Sequence, residues 1–347
     1  MTKHHIFFAL IAAAAVLSGC NDPYTPNYFW GGNPASPRNN ATPEPGPILF
    51  FSKHLKNGSP TTLPQLYSMD EDGSHIMQLT FDPNFPIFDA RWSPDGSEMI
   101  VVSDSGGYLI DLATGTRQLL LQPIGWGTEY DEGTQEMHPV WSPDSKQIAY
   151  NLQVGADFFG FYDIFVINVD GSNNHQVTDM AGAVLVNDWS PDGSTLLGRS
   201  GTQEGFQLAY FDLSGNLLQT WGDSDFASSG AVYSTSGKEI AFESQEGPDG
   251  PEAVYVMPAR GNNDTLLVAS NARYEGYEVI AWSPDDRKIL CNGWGPFGTV
   301  ETFVLLVDRA TGSITDITPF EATPAQHDTT YSLAVSWRKE GTANRQR

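Results

Sequence analysis

WSPDGS, residues 92–97, is the stretch that decides the fold. It returns as WSPDSK at 141–146, WSPDGS at 189–194 and WSPDDR at 282–287, with a weaker echo, YSTSGK, at 233–238. Each copy reads as a turn. Pro94 presets φ at the second turn position, Asp95 accepts backbone N–H groups, and Gly96 is free to take positive φ. Ser93 caps the entry. Trp92, just before it, fills space between sheets. Trp141, Trp189 and Trp282 hold the same place, and Asp144, Asp192 and Asp285 repeat Asp95. Ser145 and Asp286 replace the glycine. A catalytic element is not copied along a chain with such drift, so the motif reads as a joint.

What the joint connects is a repeating unit. A short run ends in Trp, the turn follows, and then an apolar strand such as EMIVVSD, QIAYNLQ or KILCNGW. A variable loop leads to a second strand such as GYLIDL, DIFVINV or FVLLVDR. A Gly-rich turn and a short last strand close the unit. Alternating apolar residues, β-branched and aromatic side chains and tight turns specify antiparallel strands. The aromatic steps from Trp92 through Trp141, Trp189, Tyr233 and Trp282 to Trp337 are 49, 48, 44, 49 and 55 residues. Four strands at that spacing make a propeller blade. The chain starts in mid-unit, with ILFFSK at 48–53, and ends on SLAVSW at 332–337. The two halves complete one blade. The expected fold is therefore all-β: a six-bladed β-propeller of four-stranded antiparallel blades over residues 47–338, closed by the C-terminal strand on the first blade. A polar tail, 339–347, follows.

The WSPDG repeat, with LYSMDEDGSHIMQLT in the first unit and DIFVINVDGSNNHQVT in the third, resembles the TolB-type β-propeller family over about residues 48–338. The resemblance implies the fold and is poor in functional information. Related propellers occur in periplasmic TolB, beside the hydrolase domain of prolyl-oligopeptidase-like enzymes, and in some polysaccharide lyases. TolB carries an extra α/β domain, and the peptidases a hydrolase, for which this sequence has no room.

The first twenty residues form a separate object. Lys3, His4 and His5 precede an apolar run, IFFALIAAAAVL at 6–17, too short to span a bilayer comfortably. LSGC at 17–20 then resembles a bacterial lipoprotein lipobox, which implies acylation of Cys20 and a bilayer contact through that anchor only. Asn21 rather than Asp follows the cysteine, which points to the outer membrane. Residues 21–46 contain six prolines and three glycines and read as a tether. The other cysteine, Cys291, lies in a strand-like run and is expected to be buried and inert.

The chain has 347 residues, with 42 acidic against 18 basic residues and a net charge of −24. That surface repels a phosphate backbone, so nucleic acid is excluded as an expected partner. A monomer is expected. SDSGG at 103–107 superficially resembles a serine-protease nucleophile segment, but it joins two strands of one unit and reads as a hairpin. No hydrolase elbow, phosphate loop or dinucleotide fingerprint is present.

Candidate chemistry sits at the start of each innermost strand, around the central channel. Three residues before each aromatic stand Asp89, His138, Val186, Gly230, Val279 and Ala334. With Glu136, Glu278 and His327, Asp89 and His138 form a candidate channel or divalent-cation site. The aromatic-rich loops offer Trp126, Tyr130, Asp131, Phe158, Phe159, Tyr274, Tyr277 and Trp294 as a candidate binding surface for a glycan or peptide. Core packing between blades is the competing role for these aromatics. Two functional readings follow, beside that of a structural envelope protein with no small ligand. One is a lipid-anchored envelope module that binds a protein or glycan. The other is a metal-assisted polysaccharide lyase or hydrolase at the channel.

Overall fold

The structure, a computed structural model, describes residues 45–52, 64–80, 87–122, 137–154, 161–180, 182–202, 205–222, 230–245, 252–260, 265–296, 301–319 and 332–338. Blade I begins with β1 (Ile48–Ser52), β2 (Gln65–Met69) and β3 (Met77–Gln78). Blade II is β4 (Ile87–Trp92), β5 (Glu98–Ser103), β6 (Gly106–Asp111) and β7 (Arg117–Leu121). Blade III is β8 (Val140–Trp141), β9 (Gln147–Val154), β10 (Phe161–Asn168) and β11 (His175–Gln176). Blade IV is β12 (Ala183–Trp189), β13 (Thr195–Thr202), β14 (Gly205–Asp212) and β15 (Leu217–Trp221). Blade V is β16 (Ala231–Tyr233), β17 (Glu239–Gln245), β18 (Glu252–Pro258) and β19 (Thr265–Ala269). Blade VI is β20 (Gly276–Trp282), β21 (Lys288–Trp294), β22 (Thr302–Asp308) and β23 (Ile314–Asp316). Finally β24 (Ser332–Trp337) returns to blade I as its innermost strand. It pairs antiparallel with β1, Trp337 opposite Ile48 and Ser332 opposite Ser52. The described residues thus form six four-stranded antiparallel blades, closed as the sequence predicts.

The core lies between blades. Every residue of β1 is buried, so its sequence shows no polar face. Its period of two instead divides it between two cores. Leu49 and Phe51 pack with Trp92, Met99 and Val101 of blade II. Ile48 and Phe50 pack with Leu290 and Val304 of blade VI. The motif tryptophans anchor these layers. Trp282 is 1% exposed and its indole N–H donates to the Val232 carbonyl of blade V at 3.1 Å. Trp141 donates in the same way to Arg91 of blade II, and Trp92 to Pro47 at the edge of blade I.

The SPD turn has one geometry in its four full copies. The Ser93, Ser142, Ser190 and Ser283 hydroxyls each donate to the Asp two residues on, all at 2.7 Å. Each also accepts the amide five residues on, closing the first turn of the next strand at 2.9 Å. The fourth turn position always has positive φ: 71° at Gly96, 59° at Ser145, 74° at Gly193, 70° at Gly237 and 59° at Asp286. A side chain there is strained unless something is gained. Both non-glycine residues gain a bond to the preceding blade. Ser145 Oγ accepts the Asp95 amide at 3.1 Å. The Asp286 carboxylate accepts the Thr235 amide at 2.6 Å and the Ser236 amide at 3.0 Å. The drift of the glycine therefore has a physical cause, which reading the motif alone missed.

Strand direction gives the two faces different characters. SPD turns and short turns such as that between β6 and β7 occupy one end of the blades, here the turn face. The innermost strands start at the other end, the loop face, where the connections are long and unequal. SDSGG is one of the short ones there: β5 ends at Ser103 and β6 starts at Gly106, a two-residue hairpin.

Two outcomes follow. Truncation after residue 331 removes β24, uncovers the β1 edge and should abolish a single cooperative unfolding transition in calorimetry. Asp286→Gly restores the commoner turn residue yet should lower stability by roughly 1–2 kcal/mol in denaturant titration, because two amides lose a charged acceptor.

Candidate functional site

At the loop-face mouth of the channel the described side chains divide into two groups. The first stitches blades together. In blades I, IV and VI the innermost strand has a bulge just before its Trp, where the register shifts past Val335, Asn187 and Ile280. A bulge disturbs the ladder and leaves an amide in need of an acceptor. In each of these blades a side chain of the preceding blade supplies it. Asn151 Oδ1 accepts the Val186 amide at 2.7 Å. Glu243 accepts the Val279 amide at 2.9 Å. Asn292 Oδ1 accepts the Ala334 amide at 2.7 Å and its Nδ2 donates to the Ala334 carbonyl at 3.0 Å. Asn151, Glu243 and Asn292 are all at most 3% exposed. Candidate Glu278 belongs here too: it accepts from Asn292 Nδ2 at 2.9 Å and orients that amide.

None of the three stitching residues was singled out from the sequence. Their signal is a polar residue ten positions after three of the motif aromatics: Asn151 after Trp141, Glu243 after Tyr233, Asn292 after Trp282. Arg199 holds that position after Trp189 and Val102 after Trp92.

The second group is a charged cluster beside blades II and III. Asp89 and His138 approach to 3.6 Å, longer than a hydrogen bond. Arg91 lies on the same carboxylate, with Nε 3.0 Å from Oδ1 and Nη2 donating to Oδ2 at 3.3 Å. His138 has φ of 35°, rare for a residue with a Cβ. Desolvation first and then the Arg91 charge push its pKa down to about 4; Asp89 opposes them, and Arg199 adds a smaller push downward. The imidazole is therefore neutral at pH 7 and free to accept or donate a hydrogen bond.

The cation reading fares differently. Among the described residues no three His, Cys, Asp or Glu side chains come together to hold a metal. The Asp89 oxygens already face a guanidinium, which repels a cation. Glu136 and His327 of the expected set lie outside the described residues, as does Cys20.

Of the expected binding aromatics, Trp126, Tyr130, Asp131, Phe158 and Phe159 lie outside the described residues. Tyr274 and Tyr277 are 5% and 3% exposed and pack in the core between blades V and VI, so they offer no surface. Tyr274 meets Phe303 edge-on, with ring centres 5.1 Å apart. The Tyr277 hydroxyl donates to the Ala269 carbonyl at 3.3 Å. Trp294, at the loop-face end of β21, is 39% exposed and remains available. Cys291 is fully buried, and burial raises its thiol pKa well above the ordinary value, so the thiolate is suppressed.

No family model matches the sequence. Solved structures match the fold. A TolB from Acinetobacter baumannii matches with TM-score 0.56 and 19% identity, over 80% of this chain and 63% of that one. This chain thus spans less than two thirds of that protein's length. A putative TolB from Agrobacterium tumefaciens matches with TM-score 0.58 and 18% identity, over 78% of this chain and 87% of that one. A chain of a nidogen–laminin complex matches with TM-score 0.55 and 10% identity, over 83% and 96%. At these identities the likeness is one of fold, and the fold is TolB-like.

The cluster makes a pH-dependent prediction. The pKa of His138 is lower in the fold than in the unfolded chain, so the unfolded state takes up the proton first as pH falls. Its contribution to stability is complete above about 6.5 and is lost towards about 4. Asn tolerates positive φ. His138→Asn should therefore fold and show a shallower loss of melting temperature across that window than the parent chain; parallel curves would be the contrary result.

Proposed function

We propose that this chain is a lipid-anchored scaffold of the bacterial cell envelope that presents its loop face to a protein or glycan partner. The observation that carries this reading is the inequality of the two faces. The turn face repeats one hydrogen-bonded joint from blade to blade, and its turns are tied to one another. The loop face has the long, unequal connections, the Asp89 carboxylate beside the neutral His138 imidazole, and half-exposed Trp294. A rigid ring carrying unequal loops is the usual arrangement for recognition. The buried stitches Asn151, Glu243 and Asn292 hold the innermost strands on which those loops stand. A net charge of −24 favours a partner with basic or neutral contact groups over a nucleic acid. The leader-like first twenty residues, with Cys20 as the acylated position, supply the anchor, and the outer membrane is its proposed site. The TolB-like fold is compatible with an envelope location.

A photo-crosslinking residue at Trp294 in intact cells, with one at Ser97 on the turn face as control, tests the reading. The Trp294 probe should capture a specific envelope protein or glycan that the Ser97 probe does not. Equal or absent capture at the two positions would defeat the proposal. In parallel, Cys20→Ser should move the chain from the membrane fraction to the soluble one; an unchanged membrane fraction would remove the anchor from the reading.

A further inference from the structure

Blade V departs from the repeat in ways that converge on one place. Tyr233 stands where the other blades carry Trp. Ser236 stands where Asp95, Asp144, Asp192 and Asp285 stand. Pro258 replaces the residue that is Asp111, Asp212 and Asp308 in blades II, IV and VI. Ala259, next to it, replaces the larger Leu112, Val169 and Arg309. Blade V therefore has two fewer carboxylates on the turn face, a Tyr for a Trp, and a small Ala259 where other blades carry a larger side chain.

The loss leaves a cleft of about 480 Å³ between blades IV and V, lined by Asp192, Tyr233, Lys238, Ala259 and Arg260 among others. It also leaves two cations unmatched. Lys238 occupies the repeat position of Lys146 and Arg287. Those two pair with their own turn aspartates, Lys146 with Asp144 at 3.6 Å and Arg287 with Asp285 at 3.8 Å. Lys238 has only Ser236 at that place. Other basic side chains are engaged. Arg309 pairs with Glu239, Lys288 with Glu71 and Arg273 with Asp316, while Arg117 lies against Tyr108 and Arg338 against Trp92. Among the described residues, Lys238 and Arg260 make no ion pair and no ring contact, and both line this cleft. In a chain with a charge of −24, two cations against the single carboxylate of Asp192 make this opening locally positive. Asp192, on the cleft wall, is ionised. Hydrogen bonds from Ser194 and Ser190 lower its pKa to about 2 and the nearby Arg260 charge adds to them, so it offsets one of the two cations and leaves a net charge of +1. Its Oδ1 already accepts from Ser190 Oγ, the Ser194 amide and Ser194 Oγ.

We propose that this cleft is a binding site for a small organic or inorganic oxyanion, a carboxylate or phosphate group held between Lys238 and Arg260. Arg260 supplies a planar fork for two oxygens and Lys238 a point charge that follows them. The site lies on the turn face and is independent of the partner surface proposed for the loop face.

Calorimetric titration of the full chain with sodium phosphate in one arm and succinate in the other tests the site and separates the two ligand classes. One-to-one binding in either arm is expected, and the arm that binds names the class. Ser236→Asp restores the repeat's own partner for Lys238 without deleting a cation. It should weaken binding by about tenfold, the effect of about 1.4 kcal/mol. The double variant Lys238→Ala, Arg260→Ala should abolish binding, whereas Lys146→Ala in blade III should leave it unchanged. Absence of binding in both arms at millimolar ligand overturns the proposal. So does binding that survives both blade V variants, which marks an adventitious ion only.

Discussion

The pairing of β24 with β1 is the contact on which the ring depends. β1 is an interior strand with both faces buried, and β24 gives its inner edge a partner. That pairing places Trp337 between blades VI and I and sets Ser336 against blade II, where its hydroxyl accepts the Trp92 amide at 3.3 Å. Two of the six interfaces thus rest on strands from opposite ends of the chain. The entropy of joining residues so far apart is lost once, and closure then removes the free inner edge that an open array would keep.

Closure also creates a polar problem. Innermost strands converge on a narrow axis, and the bulges that let them fit disturb their ladders. Buried amides left without an acceptor cost on the order of 1–3 kcal/mol each. The structure answers with Asn151, Glu243 and Asn292, each reaching across to the next blade. Where the strand itself brings a polar side chain, as at Asp89 and His138, the preceding blade has apolar Phe51 and Val102 at the matching place. Asp89, His138 and Glu278 look like a ligand site from the sequence because they are polar and stand at the start of innermost strands. In the structure Asp89 is engaged by Arg91 and the Ala90 amide, and Glu278 by Asn292.

The fold was legible because its signal is repeated. The spacing of Trp92, Trp141, Trp189, Tyr233, Trp282 and Trp337 counts the blades, and the split unit at the two ends tells how they close. The candidate site was legible only in part, since a side chain's partner depends on the neighbouring blade and not on its own segment. Tyr274 and Tyr277 show the limit. An aromatic in a Gly-rich loop reads as exposed, yet Asn271 folds that loop back by accepting the Arg273 and Tyr274 amides, and both rings enter the core. Trp294, directly before Gly295-Pro296, ends on the surface. Local sequence does not separate the two.

Six copies of one unit also allow a chain to be compared with itself. Departures from the repeat then fall into two kinds. At Ser145 and Asp286 the sequence leaves glycine, accepts a strained φ, and gains hydrogen bonds to the preceding blade. Packing and hydrogen bonding account for those changes. At Ser236 and Pro258 the sequence removes carboxylates. Ser236 Oγ lies 3.3 Å from Ser234 Oγ, a weaker contact than the 2.7 Å Ser–Asp bond of the other turns. The Ser234 hydroxyl accepts the Glu239 amide at 3.2 Å, against 2.9 Å elsewhere. Within its own turn blade V therefore has the weakest Ser-centred bonds of the five, while its Thr235 and Ser236 amides are held by Asp286 of blade VI. The bonds from Asp286 account for the backbone of that turn but not for Lys238 and Arg260, which face one cleft. An anion in the cleft would give them the partner that Lys146 and Arg287 find in their own turn aspartates.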